Sequence, residues 1–161
     1  MLTELERKLA WEGWFSSEVC ALYFAELSGV YRRWQTVATW LTLLFSSGTL
    51  ASALARLRDE YAWMAPALAM LTTALSLYSV VAHNHQKMTD CADLHFRWSR
   101  LASDYRALWG TQHDDTATMR LDDLEVRRAE VSKAGTAFPD KPRRIQHWYK
   151  HVKDSLAYAT A

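Results

Sequence analysis

The sequence predicts an all-α protein: a transmembrane helical hairpin with long helical extensions on one side of the bilayer, assembling as an oligomer. Three observations carry this. Two charge-free, mostly apolar runs, Trp34–Ala55 and Tyr61–Ala82, are each 22 residues long. As helices they span roughly 33 Å, close to the hydrocarbon thickness of a bilayer. Only Arg56-Leu57-Arg58-Asp59-Glu60 separates them, so the second helix must turn straight back. Finally, glycine (5) and proline (3) are scarce, and no stretch alternates as a half-buried strand would. The chain divides into N-terminal amphipathic helices (1–33), the hairpin (34–82) and a helical region (83–161).

A mean hydropathy of -0.22 averages the apolar runs with charged flanks and hides this segregation. The net charge of +1 creates no global field for nucleic acid. Cys20 and Cys91 form no CxxC, which argues against a disulfide framework or a zinc ribbon. Met1–Ala10 is charged and amphipathic, unlike a secretory signal, so the first span serves as an uncleaved anchor. Arg32, Arg33, Lys87, Arg97 and Arg100 flank the outer ends of the runs, against Arg56 and Arg58 in the link. The positive-inside rule therefore places both termini in the cytoplasm.

The first helix opens on Thr3-Glu4-Leu5-Glu6, a capping box with Thr3 as cap and Glu6 reaching back. Ser16-Ser17-Glu18 reads as a break and a new N-cap, after which a helix runs from Val19 into the first span. Tyr31, Trp34, Tyr61, Trp63 and Tyr78 sit where interface belts would need aromatic rings, or else pack in an ordinary core. In the first span Thr39, Thr42, Ser46 and Thr49 share one face, and Gly48, Ala51 and Ser52 belong to small-residue series that permit close helix approach. Thr72, Ser76 and Ser79 repeat the theme in the second span. After Ala82, Leu94, Trp98, Leu101, Tyr105 and Leu108 recur as a heptad-like packing stripe on a helix expected to end near Trp109, with Gly110 as its left-handed cap. Another helix is expected over Ala117–Ala134, apolar at Leu121, Leu124 and Val131. A turn at Phe138–Pro142 precedes a last helix from Arg143 to about Tyr158, apolar at Ile145, Trp148, Tyr149, Val152 and Leu156.

Little in the chain points to catalysis. His83, His85, Cys91 and His95 gather in sequence, and Cys91 and His95 have a workable ligand spacing. No second pair completes a metal site, and interfacial histidines with a packed thiol explain them better. Asp114-Asp115 and Asp122-Asp123 point apart on a helix, as solvated surface does. Phosphate loops, nucleophile elbows and HExxH are absent from the sequence, which supports neither an enzyme nor a bound cofactor. The basic stretch Lys141, Arg143, Arg144, His147, Lys150, His151 and Lys153 suits anionic lipid headgroups, an acidic partner, RNA or an anionic nucleotide, as well as a plain solvated or docking face. The hydroxyl face Thr39–Thr49 suits back-bonding to the preceding turn, or a water-facing stripe in a ring of several copies.

The layout resembles the SLATT families, bacterial two-transmembrane effector domains that associate with SMODS nucleotidyltransferases and SLOG domains. The shared features are a leading amphipathic helix through Tyr31-Arg32-Arg33-Trp34, a tight hairpin, a long helix carrying Leu94 to Trp109, and trailing amphipathic helices. The resemblance covers nearly the whole chain and rests on layout. It implies a membrane effector in conflict systems such as anti-phage defence, triggered by a nucleotide signal or a separately encoded sensor, which disrupts the inner membrane as a homo-oligomer. It carries over no catalytic residues. Rival readings are a membrane scaffold whose cytoplasmic helices recruit a partner, for which Leu101→Asp should abolish partner binding without changing insertion, a holin-like lysis protein, and a soluble bundle that buries both apolar runs.

Overall fold

In the computed structural model, residues 2–46, 67, 70, 71, 73, 74, 76–78 and 84–159 are described; all observations below concern them. The fold is all-α, with no strand among these residues. Four helices have defined bounds: α1 (Glu4–Ser46), α2 (Asn84–Gly110), α3 (Ala117–Gly135) and α4 (Pro142–Ala159). Residues 67, 70, 71, 73, 74 and 76–78 are also helical. Two compact units result, one of Met1–Leu27 with Asp90–Ala161 and one of Ser28–Thr89.

α1 starts on the expected capping box. The Thr3 amide and hydroxyl donate to Glu6 Oε2 at 2.6 and 2.8 Å, and the Glu6 amide donates to Thr3 Oγ1 at 3.3 Å. The expected break at Ser16-Ser17-Glu18 does not occur, because α1 continues through it. Both serine hydroxyls donate to the Gly13 carbonyl, at 3.1 Å from Ser16 and 2.7 Å from Ser17. A serine that bonds one turn back is satisfied inside a helix and loses its value as a cap.

Four helical segments pack together in the first unit, and the contact order fixes their directions. Trp11 meets Trp109, Glu18 meets Arg106 and Ala21 meets His95, so α2 runs antiparallel to α1. Tyr105 meets Glu125 and Asp104 meets Arg127, so α3 reverses again. Phe15 meets Tyr149 and Glu26 meets Arg144, so α4 is antiparallel to α1. The Leu2 amide donates to the Gln112 carbonyl at 3.0 Å, tying the chain's start to the α2–α3 loop.

The packing stripe on α2 is the centre of this core. Leu94, Trp98 and Leu101 are buried, and Tyr105 and Leu108 have no exposed surface. Ala117, Leu121, Leu124 and Val131 are buried on α3, and Val152 on α4. Tyr105 packs so close to α1 that only glycine fits opposite: a Cβ on Gly13 would lie 2.6 Å from its ring carbons. Leu101 thus belongs to the core of its own chain.

The helix ends differ slightly from expectation. Gly110 is the last residue of α2, without a left-handed backbone. Thr111 closes the end instead, its amide donating to the Leu108 carbonyl and its hydroxyl to that of Ala107. α3 includes Gly135, and α4 begins one residue early, at Pro142. Proline suits a first helical position, where its missing N–H has no helical partner to lose.

Candidate functional site

Two surfaces have the right composition for function. The first lies on α1 in the second unit. Trp34, Val37, Trp40, Leu43 and Leu44 are all exposed, Trp40 at 63% and Leu44 at 56%. Met70, Leu71, Leu77 and Tyr78 are exposed as well, while Tyr31 is half-buried. A contiguous set of large apolar side chains on a helix requires a cover other than water. The threonines among them are internally satisfied: Thr36, Thr39 and Thr42 donate to the carbonyls of Arg32, Gln35 and Ala38 at 2.9, 2.9 and 2.8 Å. Each hydroxyl proton is therefore committed to the helix, leaving an oxygen that can only accept.

Of the other predicted face residues, Ser76 is helical and exposed. Ser46 ends α1, and its side chain lies outside the described residues, as do Gly48, Thr49, Ala51, Ser52, Thr72 and Ser79 and both aromatic residues of the link end, Tyr61 and Trp63. Among the described residues no helix is long and apolar enough to cross a membrane. The first apolar run is described over 34–46, and the second only at 67, 70, 71, 73, 74 and 76–78.

The second surface is the outer face of α4. Arg143, Gln146, His147, Lys150, His151 and Lys153 are exposed, while Lys141 is half-buried beside the turn. Among the described residues no carboxylate lies within ion-pair distance of Arg143, Lys150 or Lys153. By contrast Arg97, Arg106, Arg127, Arg128 and Arg144 are all paired. Arg144 belongs to the inner side: its Nη1 sits 3.3 Å from Glu26 Oε1, while the Trp148 indole donates to Glu26 Oε2 at 2.8 Å. Glu26 on α1 thus docks α4 and turns its remaining cations outward. The hydrophobic stripe of α4 had signalled its packing side, but the docking carboxylate, 122 residues away from Trp148 in sequence, had no local signal.

The histidine and cysteine group does not converge. Among the described residues no three His, Cys, Asp or Glu side chains could hold a metal ion. His95 Nδ1 donates to the Ala21 carbonyl at 2.8 Å, because a carbonyl can only accept. Cys91 is fully buried, and burial pushes its thiol up to about 12. Burial likewise pushes Cys20 up to about 11, with Arg128 opposing and Asp140 reinforcing. Neither is a thiolate nucleophile near neutrality. His85 is exposed, and His83 lies outside the described residues. The aspartates are surface groups: Asp123 pairs with Arg127 at 2.7 Å, and Asp114, Asp115 and Asp122 are exposed.

No family model matches the chain, and no curated protein or solved structure matches it either.

Proposed function

We propose that this chain is a two-pass membrane effector that oligomerises and perforates or depolarises the bacterial inner membrane, with both termini cytoplasmic. The observation that carries the reading is the exposed apolar face of α1 at Trp34–Leu44. Lipid or a second copy of the chain is the cover such a face fits. Topology adds support. Leu2, ahead of the first apolar run, bonds Gln112, beyond the second, within one compact unit. With both ends of the hairpin leading into one unit, a chain that enters a bilayer between them crosses it an even number of times, which fits two passes.

The back-bonded threonines suit a hydrocarbon setting, where every polar group needs a partner. They favour helix association over a water-lined stripe, so pore formation rests on several copies packing together. The defence context and a trigger of nucleotide or protein type come from the resemblance of the sequence's layout to SLATT domains. Catalysis and cofactors have no part in this reading. The test is dye leakage from liposomes of anionic bacterial-type lipid carrying the purified chain, with cyclic nucleotides and candidate sensor proteins as triggers. Leakage that requires the protein supports it, and intact vesicles under all triggers remove it.

A second reading is favoured by the unpaired cations on α4: a membrane scaffold whose Arg143, Lys150 and Lys153 contact anionic headgroups or an acidic partner. It predicts harmless expression, and binding that weakens steeply with salt when those residues become glutamine.

A further inference from the structure

Within the first unit, α4 is held more loosely than α2 or α3. Among its described side chains Val152 alone is buried, against four on α3. A cleft of about 460 Å³ adjoins its first turn, lined by Ile145 together with Phe24, Trp98 and the turn Phe138–Asp140. Its polar latch to α1 is incomplete. The Trp148 indole donates to Glu26 Oε2 at 2.8 Å, but the buried Arg144 Nη1, 3.3 Å from Glu26 Oε1, makes no hydrogen bond. Thin apolar packing and an unsatisfied buried donor both lower the free energy of local opening. The Tyr23 hydroxyl donates to the Pro139 carbonyl at 2.7 Å, which pins the turn to α1 and leaves Asp140-Lys141 as a pivot.

The composition of α4 suits a second environment. Ile145, Trp148, Val152 and Leu156 recur at spacings of 3, 4 and 4, with Tyr149 beside them. On the opposite face Arg143, Gln146, Lys150 and Lys153 recur at 3, 4 and 3, and all are exposed. Four Lys or Arg side chains stand on the helix against one carboxylate, Asp154. A cationic face backed by an apolar face carrying Trp and Tyr is what a helix lying in the plane of an anionic lipid surface requires. Docked on α1, the helix shows such a surface only its outer cations. Released, it adds its apolar face and the Arg144 guanidinium, freed from Glu26. Lipid can shift the equilibrium because it contacts the two states differently. We infer that α4 is a releasable membrane-surface helix, which leaves α1 and sets Ile145, Trp148, Tyr149, Val152 and Leu156 into the interface of an anionic bilayer. The inference rests on the second reading above and commits its headgroup contact to lipid. It needs no pore, so intact vesicles in the leakage test would leave it standing.

The test reads which face of α4 meets lipid. A fluorophore is placed on Tyr149→Cys, on the apolar side, or on Gln146→Cys, on the outer side, both native thiols being slow to react. The full-length chain is reconstituted into vesicles, or mixed with them where it is soluble. The vesicles contain phosphatidylcholine alone or with phosphatidylglycerol, and lipids spin-labelled in their tails act as quencher. With phosphatidylglycerol the probe at 149 should be quenched several-fold more than the probe at 146. In phosphatidylcholine alone, or at high salt, both should stay bright. At limiting phosphatidylglycerol, Glu26→Gln should raise the quenched fraction by up to roughly tenfold, the value of about one polar contact. Replacing Arg143, Lys150 and Lys153 by glutamine should abolish the quenching while the first unit melts as before. Quenching at 146 as strong as at 149 would show a docked α4 resting its cations on lipid; that overturns the release and keeps the second reading. A bright probe at 149 in anionic lipid, equal quenching in neutral lipid, or no response to Glu26→Gln would each overturn the inference.

Discussion

At the scale of single residues, Gly13 and Tyr105 form the tightest contact in the first unit. Alanine is the better helix former by about 1 kcal/mol, so an unconstrained Gly13→Ala change would stabilise α1. Here the added Cβ meets a ring held in place by full burial and by its hydroxyl's 2.8 Å bond to Glu125. Overpacking of that kind costs about 1–3 kcal/mol or more. Gly13→Ala should therefore destabilise the first unit, lowering its melting temperature by about 4 °C or more; an unchanged or raised value would show that the ring can shift. The cysteines give a pH prediction. Burial raises both thiols above 9.0, so the folded state holds its protons longer than the unfolded chain. The stability this protonation represents is complete below pH 9.0 and is lost as pH rises toward about 11 for Cys20 and about 12 for Cys91. Alkylation by iodoacetamide at pH 8 should accordingly be slow for both in the folded chain and rapid in denaturant.

At the scale of elements, local patterns were legible and long-range partners were not. The Thr3–Glu6 capping box lies within four residues, so its chemistry was readable directly. So was the α2 stripe, because a helix repeats its buried face every three or four residues. Ser16 and Ser17 misled because the same hydroxyls that cap a helix can bond back inside one; packing of α1 against α2 decided between the two. Glu26 could not be read as α4's docking point, since nothing in its neighbours encodes a contact with Trp148. Two predictions follow at this scale. Hydrogen bonds from the Thr3 amide and hydroxyl hold the Glu6 carboxyl below its ordinary 4.5, so its contribution is present above that value and lost as pH falls through the lower folded one. Protection factors of the amides at the start of α1 should fall at acid pH in the native chain, and depend less on pH in Glu6→Gln. Glu26→Ala leaves the Trp148 indole and the Arg144 guanidinium without their carboxylate, at a cost of about 1–3 kcal/mol. Hydrogen exchange over 142–156 should accelerate by roughly tenfold, with α2 and α3 protected as before.

At the scale of the whole molecule, the question is what covers the apolar face of α1, and one substitution separates the answers. Leu44 stands near the middle of the run Trp34–Ala55 and is 56% exposed. If lipid surrounds it, Leu44→Arg places a charge near the bilayer centre, at an insertion cost of about 2.5–3.5 kcal/mol. If water surrounds it, an exposed leucine changed to arginine alters stability by no more than about 0.5 kcal/mol. The first unit offers an internal control, because its core is built from Met1–Leu27 and Asp90–Ala161 and contains none of this run. The expected outcome is that wild type stays in the membrane pellet through carbonate extraction, while Leu44→Arg shifts markedly into the soluble fraction. The melting transition of the first unit should be unmoved in both. Equal partitioning of the two proteins into the pellet would point to a cover supplied by a second copy that tolerates arginine. Equal release into the soluble fraction would remove the membrane reading altogether. Replacement at Thr39 sharpens the assignment. Its hydroxyl is committed to Gln35, so Thr39→Val should change neither insertion nor leakage if the face packs against lipid or another helix. It should reduce ion flux if that face lines water, where the free lone pairs of the oxygen would be in use.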